Sequence, residues 1–230
     1  MRKGIALGVT LVFLLGSALA AQDPGAAYPG ATRWQAGLLA GYKGGFGIRA
    51  TGTVSGFTPS FPVSARLGIS YVSVDAGHPL DARRVFINDA TNGVPQEKGH
   101  YWDFSFDLLY PISLGSLERA QLYGGLRHAR FTGNFRFIGG NEDFDINSNH
   151  WGFGSGLETY IGVTRSVDIV VSGGFDYYFS SRMTGHDTSY SPDGDDVNPR
   201  QGYSYDDADE AVGQPGFELQ LMVGFDYHFQ

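Results

Sequence analysis

Arg49, Arg66, Asp103, Asp107, Glu158, Asp176, Glu218 and Asp226 each directly follow an apolar or aromatic residue, in segments where polarity alternates. A period of two places the charges on one face and the apolar neighbours on the other. Two arginines and six carboxylates on a shared face can line a path for ions. They can also pair with one another and fill the space between them. Charges confined to a narrow interior are expected to be matched, so the paired, hydrogen-bonded filling is the preferred reading.

Other chemistry is poorly supported. The histidines are His78, His100, His128, His150, His186 and His228. His100 near Asp103, or His150 near Glu158, offers the beginnings of a catalytic arrangement. No His-x-Ser pair and no close serine–histidine–acid grouping accompanies them. The acidic stretch from Asp187 to Glu210 contains "DGDDVN", but glycine is not at the sixth position of a calcium loop and Ser204 stands where the twelfth-position Glu belongs. It reads as a solvated loop in which weak divalent-cation binding is an open alternative, with "SYDDADEAV" forming a short helix capped by Ser204 or Asp206. No catalytic, cofactor or metal site is expected.

The elements that carry these charges are strands. Alternation runs through "WQAGLLAGY", "FGIRATGTV", "VSARLGISY", "YWDFSFDLLY", the long "RAQLYGGLRHARFTGNFRF", "HWGFGSGLETYIGV", "VDIVVSGGFDYYF" and the tail "LQLMVGFDYHF". Short links ("TPSFP", "PISLGSLE", "TRS") alternate with long ones at 75–99, 138–149 and 180–216. The tight Lys43-Gly44-Gly45 link breaks that alternation.

The start of the chain, "MRKGIALGVTLVFLLGSALA", has a basic opening, an apolar run and an Ala-x-Ala end, so residues 1–20 read as a secretory signal peptide cut after Ala20. Residues 21–33 would then be a short periplasmic lead and 34–229 the folded domain. The chain is acidic, with net charge −8, and beyond the leader it has only Lys43 and Lys98 as lysines. Nucleic acid is excluded as a partner, because neutralising phosphates needs basic clusters. The absence of cysteine removes disulfides and thiolate chemistry. Glycine, at 34 residues, is about twice its usual share of about 7%.

Side-chain size decides which face points where. The apolar face is crowded with Trp, Phe and Tyr, too bulky for the interior of an eight-stranded barrel. The other face is mostly Gly, Ser and Thr, which suits a narrow lumen. The fold class is therefore all-β: an eight-stranded antiparallel up-and-down transmembrane barrel, apolar side to lipid. Aromatic girdles follow, with Trp34, Tyr110, Tyr123, Tyr227 and Phe229 near one rim. Trp102, Phe153, Tyr177, Phe179 and Phe217 fall near the other. Counting from Tyr123 outward turns Arg127 toward lipid, at about 2–4 kcal/mol in mid-membrane unless a bulge or rim position relieves it. His128 and Arg130 would then enter the lumen.

In these features the chain resembles the OmpA/OmpX-type family of eight-stranded outer-membrane β-barrels, through "YGGLRHARF", the hairpin "GFGSGLETYIGVTRSVDIVVSGGFDYYF" and the tail. Gly224, Tyr227 and Phe229 resemble the terminal assembly signal of such barrels, a glycine followed by aromatics three and five positions on, with Gln230 one residue beyond the usual end. The resemblance implies location in the cell outer membrane, contact with its lipid and with the barrel assembly machinery, and a monomer. It also implies a structural or surface-interaction role through the long loops, whose extracellular ligand or partner is not specified. With no segment after Gln230, a peptidoglycan-binding module is not expected. The competing functions are a small-solute pore and an outer-membrane enzyme acting at the extracellular rim.

Overall fold

The computed structural model describes residues 32–57, 62–114 and 117–229. The expected cleavage after Ala20, most of the lead and Gln230 lie outside them. In chain order the elements are β1 (Arg33–Lys43), β2 (Phe46–Ser55), β3 (Ser64–Val74), α1 (Pro79–Phe86), β4 (Val94–Leu114), β5 (Leu117–Ile138), β6 (Asp143–Gly162) and β7 (Val167–Tyr178). Then come β8 (Met183–Gly185), β9 (Thr188–Tyr190), α2 (Tyr205–Ala211) and β10 (Phe217–His228).

Neighbouring strands pair antiparallel from β1 through β7. β10 joins β7 on one side and β1 on the other, so Leu38 lies between Ala50 and Phe225. Pairing of β5 with β6 completes the ring. A closed ring satisfies every strand's backbone groups internally, as hydrocarbon requires. Leu38, Leu67, Leu126, Leu221 and Phe225 all stand exposed on its outside. An apolar band of this extent is stable only against lipid. The short turns define the periplasmic end and the long connections the extracellular one.

The aromatic rims have the composition expected from the sequence except at Tyr123. That ring is 1% exposed and points into the lumen, where its hydroxyl accepts a hydrogen bond from Gln220. The expected 138–149 loop is also shorter. β5 and β6 continue past the membrane and reverse only at residues 139–142.

Polarity inverts along β5. In its lower half Leu122 and Leu126 face outward while Tyr123 and Arg127 face in. In its upper half Thr132, Asn134 and Arg136 take the outward positions, and Phe131, Phe135 and Phe137 are buried inside. Below the headgroups the outside is hydrocarbon, and above them it is water. The same strand must therefore exchange its apolar face at the interface.

The extracellular mouth is covered by the loops. Phe86 of α1, Met183 of β8, Tyr190 of β9 and Ala208 and Ala211 of α2 share one core with Tyr101, Phe131, Phe135 and Ile146 of the wall. The Gly213 N–H donates to the Ala76 carbonyl at 2.9 Å, and Gly77 forms a bridge with Val212. Arg83, fully buried, ties α1 to the β5–β6 turn through Glu142 at 2.6 Å. Hydrogen bonds from Asn88 and Arg83 hold the Glu142 carboxyl below its ordinary range. α2 begins behind Ser204, whose N–H and hydroxyl both donate to Asp207.

Candidate functional site: the charge network of the lumen

One connected network crosses the lumen. Asp107 of β4 accepts from Arg49 of β2 at 2.9 Å, Arg66 of β3 at 3.0 Å and Arg127 of β5 at 2.7 Å. Arg66 also reaches Glu158 of β6 at 2.5 Å, and Arg127 reaches Asp176 of β7 at 2.7 Å. Lys43 of β1 pairs with Asp176 and lies 3.1 Å from Asp103 of β4. Tyr178 donates to Asp103 at 3.0 Å and Tyr160 to Glu158 at 2.9 Å. Every charged member is nearly inaccessible to solvent.

Four cations, Lys43, Arg49, Arg66 and Arg127, balance four carboxylates, Asp103, Asp107, Glu158 and Asp176. The group is electrically neutral. It draws a charged side chain from each of seven barrel strands, all but β10. Desolvation in so dry a site is offset only because each charge has a partner. Gly154 makes room for it, since a Cβ there would fall 1.9 Å from Asp176 Oδ1 and 2.6 Å from Arg127 Nη2.

Six of the charges singled out in the sequence thus meet. Glu218 and Asp226 do not join them. Glu218 is half-buried at the upper rim and accepts from the Gly216 N–H at 3.2 Å. Asp226 lies lower, 5% exposed, directly across from Asp168 on β7. Asp168 is held by Arg119 at 2.8 and 2.7 Å and by His228 at 2.6 Å. Among the described residues Asp226 Oδ1 has no hydrogen-bond partner. Two carboxylates directly opposite on one face repel. Asp226→Asn is therefore expected to raise stability by up to about 1 kcal/mol, seen as a higher urea midpoint for protein folded in lipid vesicles. A lowered midpoint would mean that Asp226 serves as a needed counter-charge.

Two members are not evident from the sequence. Lys43 reads there as part of a turn, although it continues the inward parity of β1 by one step past Gly41. Arg127 corrects the expected orientation: it is 1% exposed and inside, while His128 and Arg130 are on the outer wall. The wrong starting point is Tyr123, a ring that spans the lumen beneath the Arg66 guanidinium at 5.0 Å.

The histidine–acid proximities do not form. His100 and Asp103, three residues apart on a strand, point to opposite faces; His100 stacks on Tyr71 outside. His150 and Glu158, eight apart, are separated by about 26 Å along β6. Instead Ser148 Oγ lies 2.7 Å from His150 Nε2, and His150 Nδ1 lies 2.9 Å from the Phe179 carbonyl. This Ser-x-His pair is buried beneath the extracellular loops, with a carbonyl where a triad has its carboxylate.

With this geometry the chain is similar to the crystal structure of a major outer membrane protein from Thermus thermophilus. The TM-score is 0.69 and the sequence identity 25%, over 86% of this chain and 100% of that one. This chain is an eight-stranded outer-membrane β-barrel. The cell outer membrane is its location. The barrel also aligns with Ail, the attachment invasion locus protein of Yersinia pestis, at TM-score 0.43 and 11% identity over 88% of this chain and 100% of that one. Neisserial surface protein A (NspA) aligns at TM-score 0.37 and 11% identity over 86% and 96%. No protein-family model matches the sequence, and no curated protein matches it significantly.

Proposed function

We propose that this outer-membrane barrel is a closed structural wall that presents a rigid extracellular platform for surface interaction, and that it is neither a pore nor an enzyme. The neutral ion-pair network carries this reading. Its side chains reach across the lumen from opposite strands, and eight strands enclose a space that side chains only just fill. The loop core above adds a second, apolar barrier. The extended hairpin of β5 and β6, tied to α1 through Arg83, is a rigid extracellular element for contact with a partner. Among the described residues the serine–histidine contact is that of Ser148 with His150, a buried pair with no carboxylate hydrogen-bonded to it.

Single-channel current in a planar bilayer tests this. The unmodified protein is expected to give at most small, infrequent openings. Arg49→Ala removes a guanidinium from the centre of the lumen and is expected to raise both their size and frequency. Large, stable openings in the unmodified protein, unchanged by the substitution, would reject the closed wall in favour of a small-solute pore.

A further inference from the structure

The outer wall of β4, β5 and β6 carries basic side chains where a barrel would ordinarily show lipid only apolar ones. Cross-strand rows fix their depth. Phe104, His128 and Trp151 form one row; Trp102, Arg130 and Asn149 form the next; His100, Thr132 and Asn147 lie above. Lys98 is one row higher, beside Asn134. Beneath the lowest row the wall is Phe106, Leu126 and Phe153, all exposed. Above the highest it is polar. The three rows therefore mark the passage from hydrocarbon to water, with Trp102 and Trp151 as its aromatic belt.

Arg130 stands at the centre of this zone. Its guanidinium lies 5.9 Å from the Phe104 ring centroid, and among the described residues no hydrogen bond or ion pair engages it. His128 lies between rings, with centroids 4.7 Å from Trp151 and 6.4 Å from Phe104. The nearest outward carboxylates on β6 are Asp145, in the same row as Lys98 and Asn134, and Asp143 one row higher; they accept from Asn134 at 2.8 and 2.9 Å. The wall at Arg130 and His128 is thus basic and, among the described residues, without an ion-pair partner, at the depth where lipid phosphates lie.

We propose that Arg130, with His128 below it, binds the phosphate of an anionic lipid headgroup in the outer leaflet. The guanidinium presents paired N–H donors suited to two phosphate oxygens. Trp102 and Trp151 pack against the upper part of the lipid chains. A phosphate there also explains how an arginine is tolerated on a lipid-facing wall, since its cost falls toward zero near the interface.

The test is native mass spectrometry of the folded protein, released from vesicles of phosphatidylcholine containing a fifth phosphatidylglycerol. Folding of each variant is checked by the mobility difference between unboiled and boiled samples. The unmodified protein is expected to retain phosphatidylglycerol in clear excess over its share of the vesicle. Arg130→Gln should lower that retention about fivefold, the ratio expected for one basic residue beside an anionic surface. Arg136→Gln, on the same wall but higher, should leave it unchanged. Equal retention by Arg130→Gln and the unmodified protein, or no preference for phosphatidylglycerol, would overturn the proposal. So would its displacement by millimolar inorganic phosphate, which would reassign the site to a soluble anion.

Discussion

Arg127→Met is expected to destabilise the barrel by about 3–5 kcal/mol, the cost of removing one partner from a buried ion pair. Arg127 bridges Asp107 and Asp176, each at 2.7 Å, and is itself 1% exposed. Its loss leaves four buried carboxylates facing three cations in a site that water does not reach. Adding Asp176→Asn restores the charge balance, with Lys43 still beside Asp103 at 3.1 Å. The double variant is expected to recover much of the loss, because neutral side chains of similar volume carry no desolvation penalty. The measurement is a double-mutant cycle by urea unfolding in lipid vesicles. A small effect of Arg127→Met alone, or no recovery in the double variant, would show that the network does not behave as a charge-balanced unit.

Gly224→Ala should cost about 1–3 kcal/mol by overpacking, toward the upper end because the obstacle is backbone. A Cβ at Gly224 would lie 2.0 Å from the Leu38 carbonyl oxygen and 2.6 Å from Leu39 Cα. Both atoms belong to β1, the strand that β10 must join to close the ring. Neither can withdraw without opening that seam. Gly52→Ala is the matched control, since nothing lies within 4 Å of a Cβ there; it should be close to neutral. Folding into vesicles without any assembly machinery separates the two roles open to Gly224. A defect in that assay belongs to closure, whereas a defect confined to cells would belong to the terminal recognition signal with Tyr227 and Phe229. If Gly224→Ala folds and resists urea like the unmodified protein, the steric account of the seam is wrong.

The sequence alone determined the barrel and which face of most strands meets lipid. A strand whose two faces meet hydrocarbon and a narrow lumen must alternate, and the bulk of Trp102, Phe104 and Phe106 against the small residues opposite leaves one orientation. It also determined that Arg49, Arg66, Asp103, Asp107, Glu158 and Asp176 share the inside, because parity along a strand is local. Which charges touch was not local. The tilt of the strands brings Lys43 of β1 to Asp176 of β7, and Glu218, though of the right parity, remains at the rim. Only the tertiary structure resolved β5. Its apolar residues change faces between Leu126 and Phe131, since the lower half of the strand stands in lipid and the upper half in water, so no single alternation describes it. Arg127 lies just before that change, where a count begun from Tyr123 fails: a large aromatic ring read as lipid-facing fills the lumen instead, and the arginine turns inward to carboxylates supplied by β4 and β7.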